Sequence, residues 1–234
     1  MATAKFPDSW SLDCGIEREL CSDIMVLIRA QSVVKRQGPR FKLGPVNLEL
    51  RSGEVLGIIG KTGAGKTTLL KLIWGFLRPD QGSLSVFHLK PHLHQMTVRQ
   101  HTGYLSETPD FDRRLTARQH VRFMAQFYEG WNEASVNTRL DRFGIDPGMC
   151  VHELSDSAKV KLALISATGH NPFLLLLDDP MARLDALARK EISEFLKALS
   201  SERGIGAVVS AQPSSDIEQW TDSTLILIDG KLQT

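Results

Sequence analysis

The chain has 234 residues, a formal net charge of +1, and 42% hydrophobic and 24% charged residues. That length suits one large domain, or a domain with a subdomain, and the composition is ordinary for a globular protein. The near-zero charge gives no bulk attraction to nucleic acid or anionic lipid, so we expect no nucleic-acid partner. The longest wholly apolar run, FLLLL at 173–177, is far shorter than the roughly 20 residues of a membrane-spanning helix, so we expect no bilayer crossing.

Residues 1–22 are polar and show no clear hydrophobic period, which predicts a tail or short appendage. They lack a basic start followed by an apolar core, so we expect no secretory signal. The cysteines, Cys14, Cys21 and Cys150, are odd in number and have no metal-ligand spacing. This usage is typical of reduced thiols in a cytoplasmic protein.

The first half of the chain alternates strand and helix patterns. Strands are predicted from Ile24, over PVNLELRSG and over EVLGIIG. A loop and a helix follow in KTGAGKTTLLKLIWGFL, where Leu69, Leu72, Ile73 and Phe76 form an apolar stripe. SLSVFHL predicts another strand, and the histidine-containing stretch after it predicts a loop.

The second half continues the alternation. HTGYLSE predicts a strand that runs into a loop at Glu107, and residues 116–143 predict helices. A helix follows LSDS, PFLLLLDDP predicts a buried strand, and a long helix stops at the glycine after SSER. AVVSAQ and STLILIDG predict the last strands. The pattern indicates an α/β fold with a largely parallel sheet and helices on both faces.

The strongest chemical signal is GKTGAGKT at 60–67, between an apolar strand and a helix. It matches the P-loop pattern in the structural context that supports it. Glycines let backbone N–H groups close around phosphate oxygens, and the helix N-terminus adds its positive dipole end. We expect Lys66 to reach the β and γ phosphates and Thr67 to hold Mg²⁺.

A second signal is FLLLLDD, an apolar strand that ends in two acids. A buried strand that is simply capped by acids would look the same. Beside a P-loop, however, the pattern favours Asp178 as a group that holds the magnesium shell.

The order of these segments resembles the nucleotide-binding domain of an ATP-binding cassette (ABC) transporter. The resemblance covers residues 24–231 and rests on the P-loop, GYLSE, LSDSA before a helix, LLLLDDP, ARLD and VVSAQ. It implies a P-loop NTPase of the ABC ATPase type, with a mixed sheet core, flanking helices and an antiparallel β subdomain. We place this domain at 23–234, with a helical subdomain at about 108–158.

The family pattern transfers fully onto the P-loop. By resemblance, the nucleotide is bound by Gly60, Lys61, Thr62, Gly63, Ala64, Gly65, Lys66, Thr67 and Thr68. Asp178 matches the magnesium-shell aspartate. Glu107 stands where the family has a glutamine that contacts Mg²⁺ and the attacking water, so we predict that Glu107 is a catalytic residue and a metal ligand. An ordinary solvated loop acid is the alternative.

Two catalytic positions depart from the family. Asp179 stands where a glutamate polarises the water, and aspartate is one methylene shorter. Because a misplacement near 1 Å can cost around 100-fold, we predict that Asp179 is a weak general base. Ala211 is aligned with a histidine that contacts the γ-phosphate, and Gln212 is the adjacent candidate donor.

The base-binding position is also altered. By distance from the P-loop, Gln37 holds the place of the aromatic residue that stacks on adenine. Phe41 is the nearest aromatic and is predicted to stand in for it, with simple core packing as the alternative.

We call residues 154–158, LSDSA, the signature segment. The family reads LSGGQ here and uses it to bind the ATP held by the opposite chain of a head-to-tail dimer. Ser155 is retained and is predicted to bind nucleotide, while Asp156, Ser157 and Ala158 replace the glycines and the glutamine. These residues suit a helix N-terminus, but the carboxylate of Asp156 would repel a phosphate.

The resemblance implies an ATP-binding subunit that binds MgATP, hydrolyses it slowly and drives a membrane-spanning permease, in an exporter-linked system. It would be a homodimer or a heterodimer with another ABC ATPase chain, peripheral on the inner face of the cell membrane. Residues 108–118 are candidates for contact with the permease. The main alternative is a nucleotide-binding regulatory or structural subunit with little ATPase activity. A soluble cassette ATPase of DNA repair or translation fits less well, because those carry long insertions or tandem cassettes.

Overall fold

The computed structural model of the protein describes residues 26–39, 41–182, 184–213 and 217–233. The predicted tail at 1–22, with Cys14 and Cys21, lies outside the described residues. The elements are numbered β1 to β9 and α1 to α6 in chain order.

One sheet is antiparallel and three-stranded, with the order β2-β1-β4. Its strands are β1 (Val26–Gln37), β2 (Phe41–Arg51) and β4 (Gln81–Val86). Burial along β2 alternates residue by residue from Val46 to Arg51, as expected for a sheet with one face on the core and one in solvent.

The second sheet has six strands in the order β5-β6-β7-β3-β8-β9. The strands are β3 (Val55–Ile59), β5 (Thr102–Leu105), β6 (Leu174–Leu177), β7 (Gly206–Ala211), β8 (Ser223–Ile228) and β9 (Lys231–Gln233). All its pairings are parallel except β8 with β9. This mixed sheet, together with the antiparallel sheet, confirms the predicted fold class.

The helices are α1 (Lys66–Ile73), α2 (Gln95–Gln100), α3 (Ala117–Ala125), α4 (Glu133–Arg142), α5 (Asp156–Thr168) and α6 (Ala186–Arg203). Short 3₁₀ turns lie at Val151–Glu153 and Ile217–Gln219. Two elements were not foreseen. The short helix α2 lies in the stretch that was predicted to be a loop, and β9 extends the sheet beyond the last predicted strand. None of the helices in the described parts of the chain is long and apolar enough to cross a membrane.

The six-stranded sheet separates two apolar cores. Along β6, Leu175 and Leu177 pack with α5 and α6 on one side, and Leu174 and Leu176 pack with α1 on the other. Since the strand is buried on both faces, its sequence is continuously apolar. The second core also holds the inner face of the antiparallel sheet. Helices alone therefore do not cover that side, in contrast to the simple prediction of helices on both faces.

The predicted apolar stripe of α1 was wrong at Phe76, which lies beyond the end of the helix. The helix ends at Ile73, and a Schellman turn follows, in which the N–H of Phe76 donates to the carbonyl of Lys71 at 2.9 Å. Gly75 has φ +76°, and a Cβ atom there would lie 2.3 Å from the carbonyl oxygen of Pro91. The chain turns away after Gly75, and the side chain of Phe76 is 59% exposed.

Candidate active site

The P-loop connects β3 to α1 at the carboxyl edge of the six-stranded sheet. The N–H of Gly60 donates to the carbonyl of Ala211 at 3.1 Å, which ties the start of the loop to β7. Gly65 has φ +109°, and a Cβ atom there would lie 2.8 Å from Cζ of Phe41. Only glycine suits that position, since both the backbone angle and the close ring exclude a side chain.

Lys66 places its charge inside this loop. Its side chain is 8% exposed, and Nζ donates to the carbonyls of Gly60 at 2.6 Å and Lys61 at 3.2 Å. Among the described residues, no side chain caps the first turn of α1, and that turn contains no acid. The free N–H groups and the helix dipole therefore favour an anion beside the ammonium group.

A single open cleft brings most of the predicted site residues together. Its lining comprises Gln37, Phe41, Thr62, Gly63, Gly65, Lys66, Thr67, Thr68, Glu107, Asp178 and Asp179. Gly60, Lys61 and Ala64 do not line it. Gly60 and Lys61 act from behind the loop through their carbonyls, and Ala64 is buried. The cleft thus joins the P-loop to acids that come from two other strand ends.

The acidic end of the cleft follows β5 and β6. Asp178 and Asp179 are 3% and 7% exposed, whereas Glu107 is exposed. Burial raises the pKa of Asp179, against the opposing effects of a hydrogen bond from Gln212 and the charge of Lys66. A carboxylate with a raised pKa is a stronger base than ordinary aspartate.

Ser210 links the two aspartates, and the sequence reasoning missed it. Its Oγ donates to Oδ1 of Asp178 at 2.8 Å and accepts the N–H of Asp179 at 2.9 Å. The available signal was a single polar residue inside the otherwise apolar AVVSA, because a buried hydroxyl requires a hydrogen-bond partner.

The structure corrects the assignment of Ala211. Its side chain is 1% exposed and belongs to the apolar core with α5 and α6. Gln212 is instead the residue whose side chain meets the acids, with Nε2 at 3.3 Å from Oδ2 of Asp179. Because successive side chains on a strand point to opposite faces, Ala211 faces the core and its neighbour Gln212 faces the site.

The opposite end of the cleft is formed by Gln37 and Phe41. Oγ1 of Thr68 donates to Oε1 of Gln37 at 3.3 Å, which connects this end to the P-loop. Phe41 packs partly against the second core and also lines the cleft. Core packing and a role as a base platform are therefore both compatible with its position.

The signature segment lies outside the cleft. Ser155 is the N-cap of α5, and its Oγ accepts the N–H of Ala158 at 3.2 Å. The side chain of Asp156 is 74% exposed, and its only ion pair among the described residues is a loose contact with Lys159 at 3.9 Å. The helix is thus well capped without glycines, and Asp156 faces solvent.

The residues at the acidic end suit a hard cation. Thr67, Asp178 and Glu107 offer hydroxyl and carboxylate oxygens, the donors that Mg²⁺ prefers. Within the described residues, no group of three or more histidine, cysteine or acidic side chains forms a preassembled metal site. Such a cation would therefore bind together with substrate phosphates and water, as is usual for Mg²⁺.

The fold and the cleft define a P-loop nucleotide-binding protein. A family model described as ABC transporter matches residues 43–182, more than half of the chain. The bacitracin transport ATP-binding protein BcrA of Enterococcus faecalis is 30% identical over 210 residues, which are 88% of this chain and 68% of BcrA. The chain therefore belongs to the ABC transporter family, as an ATP-binding chain of the ABC ATPase type.

Solved structures agree with this assignment. An ATP-binding subunit of an ABC transporter is 27% identical, with a TM-score of 0.79 over 89% of this chain and 88% of that one. A dimeric ATP-binding cassette, solved after hydrolysis with ADP and Pi, has a TM-score of 0.77 at 23% identity, over 89% of this chain and 97% of that one. The second likeness shows the shared fold.

Proposed function

We propose that the protein binds MgATP in this cleft and hydrolyses it slowly to drive a membrane-spanning permease. The observation that carries the proposal is the convergence of the P-loop with Glu107, Asp178 and Asp179 in one cleft. Either set of residues alone would bind an anion or a cation. Together they supply what a cation-bound triphosphate requires.

The orientation of ATP follows from the distribution of charge. The phosphates would lie on residues 62–68, beside the ammonium of Lys66 and the N-terminus of α1. The γ-phosphate would face the acids through the cation, which Thr67, Asp178 and Glu107 would hold. The adenine ring of ATP would then lie at the end formed by Gln37 and Phe41, with Phe41 as the stacking platform.

The hydrolytic step requires a base, a positioned water and charge stabilisation. Asp179 is the base, because it is buried beside the phosphate end and has a raised pKa. Gln212 holds its carboxylate, and Glu107, which lines the same cleft, positions the water. Lys66 stabilises the charge that develops on the phosphoryl oxygens, and Mg²⁺, when bound, neutralises the phosphates.

Slow turnover is expected for two reasons. Asp179 is shorter than the family glutamate, so the water lies farther from its base. Gln212, which contacts Asp179, is an uncharged amide and would stabilise the charge that develops on the phosphoryl oxygens less than an ionised donor.

A second ABC ATPase chain would cover the site further. The cleft encloses about 190 Å³, less than the roughly 300 Å³ at which ligand pockets begin, so much of the nucleotide remains uncovered on one chain. Ser155 would cover the nucleotide of the opposite chain. In a homodimer, Asp156 would face a γ-phosphate, and two unit charges about 4 Å apart interact by about 4 kcal/mol at an effective dielectric near 20. That repulsion favours a heterodimer in which at least one site has a glycine signature.

The permease would contact the helical side of the protein, on the inner face of the membrane. Residues 108–118 are mostly exposed. Exposed Phe123 and Phe127 lie towards the carboxyl end of α3. Nε2 of Gln100 donates to the carbonyl of Phe127 at 2.8 Å, which brings α2, with its exposed Met96, to that end. We propose this surface within the helical subdomain at 108–158, together with an exporter-linked role. The similarity to BcrA, a bacitracin transport protein, supports a role in transport.

One observation favours the alternative of a nucleotide-binding regulatory subunit. Asp156 gives the start of α5 a charge that opposes phosphate, while Ser155 keeps the helix stable. A chain that only holds ATP would tolerate that change.

The deciding experiment is steady-state ATP hydrolysis with Mg²⁺, combined with a nucleotide-binding titration. Lys66→Ala should abolish turnover and weaken binding, because it removes the buried ammonium group. Lys197→Ala is the matched control, since Lys197 is an exposed lysine on α6. Turnover that only Lys66→Ala abolishes supports the ATPase. Tight MgATP binding without turnover supports the regulatory subunit, and absence of binding contradicts both.

A further inference from the structure

We infer that Ser210 is a positioning residue that sets the geometry of Asp178 and Asp179 for MgATP. The inference rests on the proposed function and assigns a role within that same site. Ser210 is fully buried, at 0% exposed, and does not line the cleft. It therefore acts on the substrate only through the two aspartates.

The direction of each hydrogen bond is fixed by chemistry. The N–H of Asp179 can only donate, so the Ser210 oxygen accepts there at 2.9 Å. The hydroxyl proton is then directed to Oδ1 of Asp178 at 2.8 Å. An ionised carboxylate accepts such a bond strongly, and its other oxygen stays available for the cation.

The sheet topology explains why Ser210 reaches both residues. In the β6–β7 pairing, Leu177 is opposite Val209, so Ser210 lies one step further, level with Asp178. Along β7, Val208 packs in the core with α1, whereas Val209 and Ala211 pack in the core with α5 and α6. The alternation places Ser210 on the α1 side, which is the side of the P-loop.

Asp179 needs this anchor because its backbone is strained. It has φ +47°, a left-handed conformation that is unfavourable for a non-glycine residue. The Ser210 hydroxyl holds its N–H from one side, and the N–H of Asp178 donates to the carbonyl of Leu105 at 2.8 Å. Strain held by surrounding contacts is characteristic of functional sites. Without Ser210, Asp179 can relax and move its carboxylate.

Ser210→Ala tests the inference, and Ser166→Ala is its matched control. Ser166 is also a buried serine, but its hydroxyl donates to the carbonyl of Leu162 within α5. ATP affinity is measured in EDTA and in Mg²⁺, together with kcat and KM. Ser210→Thr keeps the hydroxyl. If Ser210→Ala does not fold, Ser210→Cys, which has a similar volume and a weak donor, takes its place.

For Ser210→Ala we expect ATP affinity in EDTA to stay within about twofold, since the P-loop is untouched. The gain in affinity from Mg²⁺ and the value of kcat should each fall by about 10- to 100-fold, as for other partners that orient metal ligands. Ser210→Thr should recover most of both, and Ser166→Ala should change neither.

The outcomes separate the two proposals. If Ser210→Ala keeps the wild-type kcat and the wild-type gain in ATP affinity from Mg²⁺, the inference is overturned and the proposed function still stands. An equal loss of affinity in EDTA and in Mg²⁺ also overturns it, because that pattern indicates general damage. A wild-type chain that does not bind MgATP overturns both proposals. A chain that binds without turnover still tests the inference through the Mg²⁺ effect.

Discussion

The P-loop and the signature segment are the two phosphate-binding regions of the family, and here they differ sharply. The P-loop is tied to β7 through Gly60 and closes around the buried Lys66. The signature segment is an exposed helix start, where Ser155 caps α5 and Asp156 faces solvent. The P-loop matches its pattern at every position, whereas the signature has lost both glycines.

The difference shows where the fold constrains sequence. At Gly65, the backbone angle and the ring of Phe41 require glycine for the chain to fold this way. At the start of α5, the cap by Ser155 is sufficient, and an acid there suits the helix dipole. Only a nucleotide on an opposite chain would require glycine at 156. The P-loop sequence is therefore fixed by structure and ligand together, and the signature by the ligand alone.

The largest expected effect is a test of the P-loop side. Gly65→Ala should lower the free energy of unfolding by about 2–5 kcal/mol, because left-handed strain of about 1–2 kcal/mol adds to overpacking of about 1–3 kcal/mol against Phe41. Denaturant unfolding measures this change. Gly63→Ala is the control: it has φ +82°, but nothing lies within 4 Å of the added Cβ. Equal losses in the two variants would contradict the proposed contact with Phe41.

The second prediction concerns the acid stability of helix α3, compared with that of α1 behind the P-loop. Burial lowers the pKa of His120, on the helical side, to about 4. Unfolded histidine titrates near 6.5, so the unfolded state binds an extra proton between pH 6.5 and 4. The free energy of unfolding therefore keeps its full value above pH 6.5 and falls as the pH is lowered. This residue accounts for a loss of about 3 kcal/mol at most.

His120→Gln should make this acid limb shallower in unfolding curves recorded from pH 7 to 4, with part of the limb remaining because burial also lowers the pKa of His170 to about 4. His152→Gln should not, since His152 is exposed. Hydrogen exchange should show α3 opening in acid before α1. An acid limb that is unchanged in His120→Gln would disprove the assignment.

The third prediction asks whether the signature region has any ligand-dependent role. Asp156→Gly should cost about 1 kcal/mol of stability, because glycine is a poor helix former. If Asp156 repels an opposite phosphate, the same change should raise ATP turnover about tenfold. Glu133→Gly is the matched control, since Glu133 is the first residue of α4. Unaltered turnover in Asp156→Gly would contradict the proposed repulsion between Asp156 and a phosphate bound by the opposite chain.

The smallest expected effect concerns the base. The hydrogen bond from Gln212 lowers the pKa of Asp179, so Gln212→Ala should raise that pKa further. The acid limb of kcat/KM should then move to higher pH, because the base is protonated earlier as the pH falls. Gln126→Ala, at an exposed position on the end of α3, should leave the profile in place. A shift to lower pH would refute the contact between Gln212 and Asp179.

Much of this molecule could be predicted from local patterns. The apolar run at β6 and the glycines of the P-loop predicted the buried strand and the loop, since each pattern arises from a local requirement. Helix α2 was missed because its six residues are largely exposed, with Val98 as the one buried side chain described there. Ala211 was misassigned by one position. Which side chain at the end of β7 faces the site depends on how that strand pairs with β3 and β6.

The sequence by itself determined the fold class, the phosphate loop and the family, because glycine conformations and runs of apolar residues are local and strongly constrained. Only the tertiary structure decided which side chains meet. It placed Gln212 on Asp179 and Ser210 between the two aspartates, and it left Asp156 in solvent. Contacts between strand ends that are some 30 residues apart depend on sheet order and register, and these are set by packing of the whole chain.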